Sequence, residues 1–284
     1  MISRRSFLET TGAAAAFSLA AHAKTLPAVG VQLYTVRTIL PDKPAETLRA
    51  IDAIGYREIE GTQGLLDKTL PALQGTKLKP VSIHIDSTVV TKGSPDDLAR
   101  TLDKFKQAGF TFVVFPYLPP AERGGLDVIK KLAGTLNAAA EKARAAGLRF
   151  AYHNHAFEFE PMGGSTPLET LMQNTDPKLV GLEMDLFWVS VAGQQPEAML
   201  TKYKGRVPLV HLKDKEKDTP NRFNEQVART AFKEVGTGGF DWPKILKTAS
   251  AAGVEHYFVE QDQTPGDPLA SLKQSYDFIS KVNY

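Results

Sequence analysis

Short apolar runs alternate with segments of helical periodicity along most of this chain. The first repeat illustrates this alternation of a strand pattern with a helix pattern. Residues 29–35 (VGVQLYT) are typical of a buried strand, while 44–55 (PAETLRAIDAIG) has apolar residues at helical spacing and ends on glycine, a common helix stop. The same pair of patterns returns about every 32 residues, which is the size of one strand–helix unit of a parallel sheet.

Eight strands are predicted in this way, each followed by a helix. They cover 29–35, 56–60, 80–86, 110–116, 148–155, 179–187, 207–213 and 256–261. Eight such units in a chain of 284 residues predict an α/β fold, a single-domain (β/α)8 TIM barrel over 24–284. A doubly wound open sheet is the alternative, but it usually needs fewer strands. The charged segment 214–240 interrupts the alternation of strands and helices, and we expect it to form a loop or lid over the barrel mouth.

Polar residues recur at every second position towards the ends of the predicted strands. The pairs are Glu58 and Glu60, His84 and Asp86, His153 and His155, Glu183 and Asp185, His211 and Lys213, and Glu260 and Asp262. Alternate residues share one face of a strand, and the residues between them are mostly apolar. Strand ends of a barrel meet at one rim, and burying so many charges there is costly without partners. The pattern therefore predicts a shared polar site that holds a divalent metal ion.

Composition and charge limit the classes of binding partner and of side-chain chemistry that are compatible with this sequence. The net charge is +2 without a dense run of Lys or Arg, which argues against a nucleic-acid partner because such partners normally require a basic surface. The chain has no cysteine, so disulfides, thiolate ligands and a thiol nucleophile are excluded. The sequence leaves the oligomeric state open, and a homo-oligomer is compatible with it.

The N-terminus resembles a twin-arginine export signal. Residues 3–8 (SRRSFL) carry the two arginines, although Glu9 stands where a lysine is more usual, and an alanine-rich run follows at 11–21. That run is too short to span a bilayer, and 21–23 (AHA) fits a small-x-small cleavage site. We predict a signal peptide at 1–23, the twin-arginine machinery as a partner, and a periplasmic or otherwise exported protein. An amphipathic or disordered cytosolic N-terminus is the alternative.

Four motifs resemble those of the xylose isomerase-like barrel superfamily, the sugar phosphate isomerase/epimerase group. They are 152–159 (YHNHAFEF), 181–189 (GLEMDLFWV), 210–214 (VHLKD) and 235–242 (VGTGGFDW). The resemblance covers nearly all of 24–284 and is specific for the superfamily, but weak for any one reaction. Members include ketose epimerases, dehydratases, keto-glycoside-processing enzymes and a DNA-repair endonuclease.

The resemblance implies one divalent ion bound by Glu, Asp, His and Glu from strands five to eight. Asp185, His211 and Glu260 match three of these ligands. The fifth-strand Glu has no direct match, and we assign Glu158, just past the two histidines. Glu160 fits less well, and Glu183 on strand six is a possible substitute.

Such a ligand set suits Mn2+, Mg2+, Co2+ or Zn2+. The ion would bind sugar oxygens while a base removes the neighbouring proton. His155, His153 and Glu260 are the candidate bases, and Lys213 is the candidate to hold an oxyanion or hydroxyl. We expect the sugar to contact a further set of residues, namely Glu60, His84 and Trp188.

These expectations lead to a metal-dependent sugar isomerase or epimerase that works through an enediolate and acts on a small sugar or glycoside. One alternative is a keto-sugar or keto-glycoside lyase that uses the same metal site. A second is an exported sugar-binding barrel without turnover. The nuclease branch is disfavoured by the export signal and by the absence of a basic run.

Overall fold

The computed structural model describes residues 24–284. The predicted signal peptide at 1–23 lies outside the described residues. Within 24–284, none of the helices combines the length and apolarity that a membrane crossing requires.

Eight parallel strands close into a barrel, as the sequence predicted. Their bounds are β1 Gly30–Gln32, β2 Glu58–Thr62, β3 Lys79–His84, β4 Phe112–Phe115, β5 Arg149–His153, β6 Val180–Asp185, β7 Leu209–Leu212 and β10 His256–Val259. Around the barrel they run in the order β1, β10, β7, β6, β5, β4, β3, β2. Neighbours around the barrel are neighbours in sequence, which is the signature of repeated strand–helix units.

Helices cover the outside of the barrel. Their bounds are α1 Pro44–Ile54, α2 Leu66–Ala72, α3 Ser87–Thr91, α4 Pro95–Gln107, α5 Leu126–Ala145, α6 Pro167–Asn174, α7 Leu186–Val191, α8 Pro196–Lys202, α9 Trp242–Ala252 and α10 Pro268–Ile279. Ser94 caps α4 through the backbone N–H of Asp97, and the Asp97 carboxylate returns a bond to the Ser94 N–H. The main apolar core lies between this helical layer and the strands.

The inside of the barrel is filled by a smaller apolar cluster. Its members are Val81, Phe112, Val114, Ala151, Leu209 and Phe258. This plug separates the polar groups at the end where the strands finish from the pair of His256 and Glu58 at the other end of the barrel.

Several predicted elements differ from the structure. The first strand was expected over 29–35, but β1 ends at Gln32 and a 3-10 helix covers Leu33–Val36. Strand six was expected to run to residue 187, but β6 ends at Asp185 and α7 begins at Leu186. The side chain of Asp185 accepts a hydrogen bond from the backbone N–H of Trp188 at 2.9 Å and thereby caps this helix. The expected loop at 214–240 contains a small antiparallel hairpin, β8 (Asp214–Lys215) with β9 (Phe232–Lys233).

Candidate active site

The inward face of the strands changes from apolar to polar at the carboxyl end of the barrel. On β7, Leu209 belongs to the inner plug and His211 follows two residues later. The same step leads from Phe258 in β10 to Glu260 just beyond it. The alternation predicted from the sequence therefore places the ionisable groups directly above the plug.

An ammonium group and an imidazole share two carboxylates at the top of this site. Lys213 Nζ lies 2.9 Å from Asp185 Oδ2 and 2.7 Å from both Glu260 Oε2 and Asp262 Oδ1. His211 Nδ1 lies 2.8 Å from Glu260 Oε2 and 3.6 Å from Asp185 Oδ2. Ligand atoms of Asp185, His211 and Glu260 all fall within 4.8 Å of one another, so one ion could contact all three.

His153 joins these residues from the end of β5. Its Nε2 lies 3.9 Å from Asp185 Oδ2, and its ring centroid is 4.5 Å from that of His211. Its other ring nitrogen, Nδ1, lies 3.1 Å from Glu183 Oε2. His153 therefore brings a nitrogen from the fifth strand towards Asp185 and His211.

A second layer of carboxylates lies beneath the histidines. Glu60 Oε1 is 2.7 Å from His211 Nε2 and 3.0 Å from His84 Nε2. Glu183 Oε2 is 2.9 Å from His84 Nε2 and 3.3 Å from His211 Nε2. Ligand atoms of His84, His153, Glu183 and His211 also lie within 4.8 Å of one another. Both carboxylates are fully buried, so they depend on these imidazoles for partners.

The crowding of charge shifts several pKa values. Burial opposes a charge on His211, but the carboxylates of Glu183, Glu260 and Glu60 outweigh it and hold the pKa of His211 well above its usual value. Burial likewise opposes a charge on Lys213, but Asp185, Asp262 and Glu260 raise the pKa of Lys213. Protonated His211 and Lys213 therefore balance part of the negative charge when no other cation is bound.

The donor set fits a divalent cation. Asp185 Oδ2, Glu60 Oε2 and Glu183 Oε1 are buried and accept no hydrogen bond from the described residues. The ammonium of Lys213 approaches Asp185 Oδ2 closely, but without hydrogen-bond angles. Buried carboxylate oxygens without donors are costly, and carboxylates with imidazoles are the ligands that Mg2+, Mn2+, Co2+ and Zn2+ use.

Glu158 does not reach this group of ligand atoms. It lies in a short 3-10 turn at 157–159, where Oε1 accepts from the Tyr152 hydroxyl at 2.7 Å and Oε2 from the His155 backbone N–H at 2.9 Å. Both oxygens are thus occupied in supporting the segment that carries His155. In the structure the fifth strand offers His153 to the site rather than Glu158.

The expected sugar contacts divide into two kinds. His84 and Trp188 line a cavity of about 460 Å³ above the barrel mouth. Glu60 does not line it, because its carboxylate is fully buried beneath His211 and His84. The placement of Glu60 thus corrects the expectation that it contacts substrate.

The cavity is walled by aromatic and ionisable side chains. Its lining is Tyr34, His84, Pro116, Tyr117, His153, His155, Trp188, Lys213, Glu225, Val227, Arg229, Phe232, Glu260, Asp262 and Gln263. The sequence analysis missed Tyr34 and Tyr117, because it concentrated on ionisable residues at strand ends. Tyr34 lies near the end of the first predicted strand and Tyr117 directly follows the fourth, so their positions at strand ends were a usable signal.

His155 has a neutral ring in an aromatic setting. Its centroid lies 5.0 Å from that of Tyr117 and 5.5 Å from that of Trp188. Burial, followed by the positive charge of Lys213, lowers the pKa of His155 to about 3. Its Nδ1 and the Trp188 indole N–H are both buried without a hydrogen-bond partner among residues 24–284. These two atoms are available to a bound molecule.

The segment after β8 covers part of the cavity, as the sequence predicted for this loop. Glu225 makes a two-pronged ion pair with Arg123, with distances of 2.7 and 3.2 Å. The Arg123 guanidinium stacks 3.5 Å from the centroid of the Phe157 ring. This pairing ties the covering segment to the loop after β4.

Comparison with known proteins agrees with this architecture. A family model described as xylose isomerase-like TIM barrel matches residues 36–282. The chain belongs to this family. The resemblance read from the sequence motifs is therefore confirmed at the level of the family and its barrel fold.

Curated relatives include inosose dehydratases. The enzyme of Bacillus cereus strain AH820 is 30% identical over 165 residues, which are 53% of this chain and 53% of that protein. The enzyme of Clostridium perfringens strain ATCC 13124 is 31% identical over 162 residues, or 54% of each chain. The chain thus spans about half the length of the curated relatives it matches.

Solved structures share the fold over almost the whole barrel. A sugar phosphate isomerase/epimerase from Parabacteroides distasonis has a TM-score of 0.72 at 22% identity, covering 89% of this chain and 98% of that one. A 3-keto-D-glucoside 4-epimerase from E. coli has a TM-score of 0.66 at 15% identity, covering 90% and 99%. A family protein from Mycobacterium smegmatis in complex with magnesium has a TM-score of 0.65 at 17% identity, covering 89% and 95%.

The environment of Glu158 generates a prediction about pH. Burial raises the pKa of Glu158 from 4.5 to about 8, despite the hydrogen bonds to its oxygens. Between these values the folded chain holds a proton that the unfolded chain has lost, so the contribution to stability falls as the pH rises. We expect Glu158→Gln, which stays neutral, to lack this component of the decline between about pH 5 and pH 8.

Urea unfolding across this pH range measures the effect. Glu160→Gln is the matched control, because Glu160 is exposed on the same segment and should unfold like the wild type at each pH. An identical pH dependence in the wild type and in Glu158→Gln would contradict the burial argument.

Proposed function

We propose that this protein is a divalent-metal-dependent enzyme that removes a proton next to the carbonyl group of a sugar or sugar glycoside, acting as an isomerase or epimerase. The observation that carries this proposal is the meeting of ion-binding side chains with a neutral histidine in one cavity. His153, Asp185, His211 and Glu260 are the residues that would hold the ion. When bound, the ion would polarise the substrate carbonyl and stabilise the charge that develops on its oxygen.

The chain's own groups supply the proton transfer. His155 lines the cavity with a neutral ring, so it can accept a proton from the carbon next to the carbonyl. The protonated Lys213 faces the same cavity and can donate a hydrogen bond to a substrate oxygen. The two groups proposed for proton transfer and hydrogen bonding are thus a neutral imidazole, His155, and an ammonium, Lys213. They are not a symmetric pair of acid and base carboxylates.

The cavity walls suit a sugar. The Trp188 indole N–H and the His155 Nδ1 need partners that sugar hydroxyls can supply. Aromatic rings of Tyr117, Trp188 and Tyr34 offer apolar faces beside these polar atoms. The segment after β8 adds Glu225, Val227 and Arg229 to the cavity wall.

A lyase that continues the same enolate to β-elimination is the second candidate. The single ammonium of Lys213 favours it, because a positively charged donor can protonate a departing oxygen. The similarity to inosose dehydratases supports the same candidate. A sugar-binding barrel without turnover is the third, and it predicts sugar binding that does not depend on a metal ion.

The ligand assignment predicts a clear difference between two variants. His211→Ala should reduce the affinity for Mn2+ or Co2+ by about 100-fold or more, because it removes a ligand nitrogen at the centre of the site. Glu158→Gln should bind the ion like the wild type, because its oxygens contact Tyr152 and His155 instead. Metal analysis and titration calorimetry measure both, with circular dichroism to establish that each variant is folded.

Loss of the ion in Glu158→Gln, with retention in His211→Ala, would reverse the ligand assignment. Absence of any bound ion in the wild type would count against metal-dependent chemistry and leave the sugar-binding barrel.

Product analysis in D2O distinguishes the candidate reactions. Metal-loaded wild type is incubated with 3-keto-glucosides and with free ketoses, and the products are examined by NMR and mass spectrometry. An isomerase or epimerase gives an isomer that carries deuterium at the carbon next to the carbonyl, whereas a lyase gives an unsaturated product. His155→Gln should slow either reaction by about 100-fold or more while it keeps the ion. An unchanged rate in this variant would exclude His155 as the base.

Export is a proposal that depends on the motif at 1–23 alone. We expect the mature protein outside the cytoplasm to begin at Lys24, and replacement of both Arg4 and Arg5 by Lys to retain the full-length chain in the cytoplasm. N-terminal sequencing of fractionated cells measures both outcomes. A full-length wild-type chain found only in the cytoplasm would contradict the proposal.

A further inference from the structure

The layer beneath the proposed metal ligands has its own hydrogen-bond pattern. We propose that His84 is a positioning residue, which through Glu60 and Glu183 fixes the orientation and proton position of the two ligand histidines. This inference rests on the proposed function, because it assumes that His153 and His211 hold the ion.

The central contact is one nitrogen shared by two carboxylates. His84 Nε2 lies 3.0 Å from Glu60 Oε1 and 2.9 Å from Glu183 Oε2. Those same oxygens lie 2.7 Å from His211 Nε2 and 3.1 Å from His153 Nδ1. His84 thus holds Glu60 at the position from which it contacts His211, and Glu183 at the position from which it contacts His153 and, at 3.3 Å, also His211.

Gln32 determines which nitrogen of His84 carries the proton. The Gln32 Oε1 accepts from the Tyr34 backbone N–H at 2.6 Å, so the amide nitrogen faces His84 Nδ1 at 3.1 Å. An amide nitrogen only donates, so His84 Nδ1 must accept and the ring proton stays on Nε2. A doubly protonated ring would place two donors face to face at Gln32.

The proton pattern then extends to the ligand histidines. A carboxylate can only accept, so His211 donates its Nε2–H to Glu60 and His153 donates its Nδ1–H to Glu183. His153 is left with a lone pair on Nε2, which lies near Asp185 Oδ2. His211 Nδ1 faces Glu260 Oε2 at 2.8 Å and donates to it while no ion is bound, so this nitrogen would give up its proton to bind an ion beside Asp185. Histidines that bind metals commonly have this arrangement, with a carboxylate on the second nitrogen.

A competing assignment makes the lower layer an ion site of its own. Ligand atoms of His84, His153, Glu183 and His211 lie close enough together for one ion. The distances between donor and acceptor in this layer are, however, those of ordinary hydrogen bonds, and each imidazole has a proton to give. The two assignments differ in the number of ions per chain and in the effect of removing His84.

The experiment replaces His84 in the full-length protein and measures the binding of Co2+ and Mn2+. His84→Leu removes the shared donor at similar volume, and His84→Gln restores an N–H donor. We expect one ion per wild-type chain. We also expect binding weaker by about 10- to 100-fold in His84→Leu, a partial recovery in His84→Gln, and an altered Co2+ absorption band in His84→Leu. His256→Leu is the matched control, because His256 pairs with Glu58 at the opposite end of the barrel, 2.9 Å away, and should bind as the wild type does.

The possible outcomes are distinct. Unchanged affinity and an unchanged Co2+ spectrum in His84→Leu overturn the inference but leave the proposed function intact. Two ions per wild-type chain, with one lost in His84→Leu, replace the inference with a second ion site. No ion in the wild type overturns the proposed function and the inference together. If His84→Leu does not fold, Gln32→Leu provides the second test, because loss of the amide should weaken ion binding in the same direction and leave the Co2+ spectrum altered.

Discussion

The burial of carboxylates on the barrel axis is the constraint on which the rest of the site depends. Glu60, Glu183, Asp185 and Glu260 are almost completely buried, while Lys213 is the buried ammonium that contacts two of them. Several kcal/mol per ion oppose such burial unless each charge finds partners. Histidine is the residue that can meet this demand here, since its two nitrogens reach carboxylates on opposite sides of one ring, as His211 does with Glu260 and Glu60. A divalent cation would add positive charge beside Asp185 Oδ2, which accepts no hydrogen bond from the described residues.

The fold supplies this arrangement through strand alternation above an apolar plug. Leu209 and Phe258 fill the lower barrel, so His211 and Glu260, two residues later, are held at its mouth. Trp188 reaches the cavity because β6 ends at Asp185 and a helix begins at once, capped by that same carboxylate. Asp185 consequently has two tasks, one oxygen fixing the helix that carries Trp188 and the other facing Lys213 and the proposed ion. The chemistry that we propose for this site is proton transfer beside a carbonyl, with His155 neutral and Lys213 charged.

Much of this could be predicted from residue order alone, for a physical reason. The period of two identified which residues share the inward face, so the meeting of His153, Asp185, His211, Lys213 and Glu260 was predicted before any coordinates. The same reasoning failed beyond the strand ends, where no period applies. Glu158 follows β5 in a 3-10 turn, and its direction depends on the Tyr152 hydroxyl and the His155 N–H. Glu60 points into the barrel, as the alternation predicted, but it lies too deep along the barrel axis to contact a substrate. At that depth its carboxylate contacts His211 instead.

The most direct measurement is the position of the ion itself. Crystals of the protein loaded with Mn2+ and measured near the manganese absorption edge give an anomalous difference peak at the ion. We predict one peak per chain, in contact with His153 Nε2, His211 Nδ1, Asp185 and Glu260, with Glu60 and Glu183 on the far side of the two imidazoles. A peak bound by Glu158, or one held between His84 and Glu183 in the lower layer alone, would contradict this assignment of the ligands.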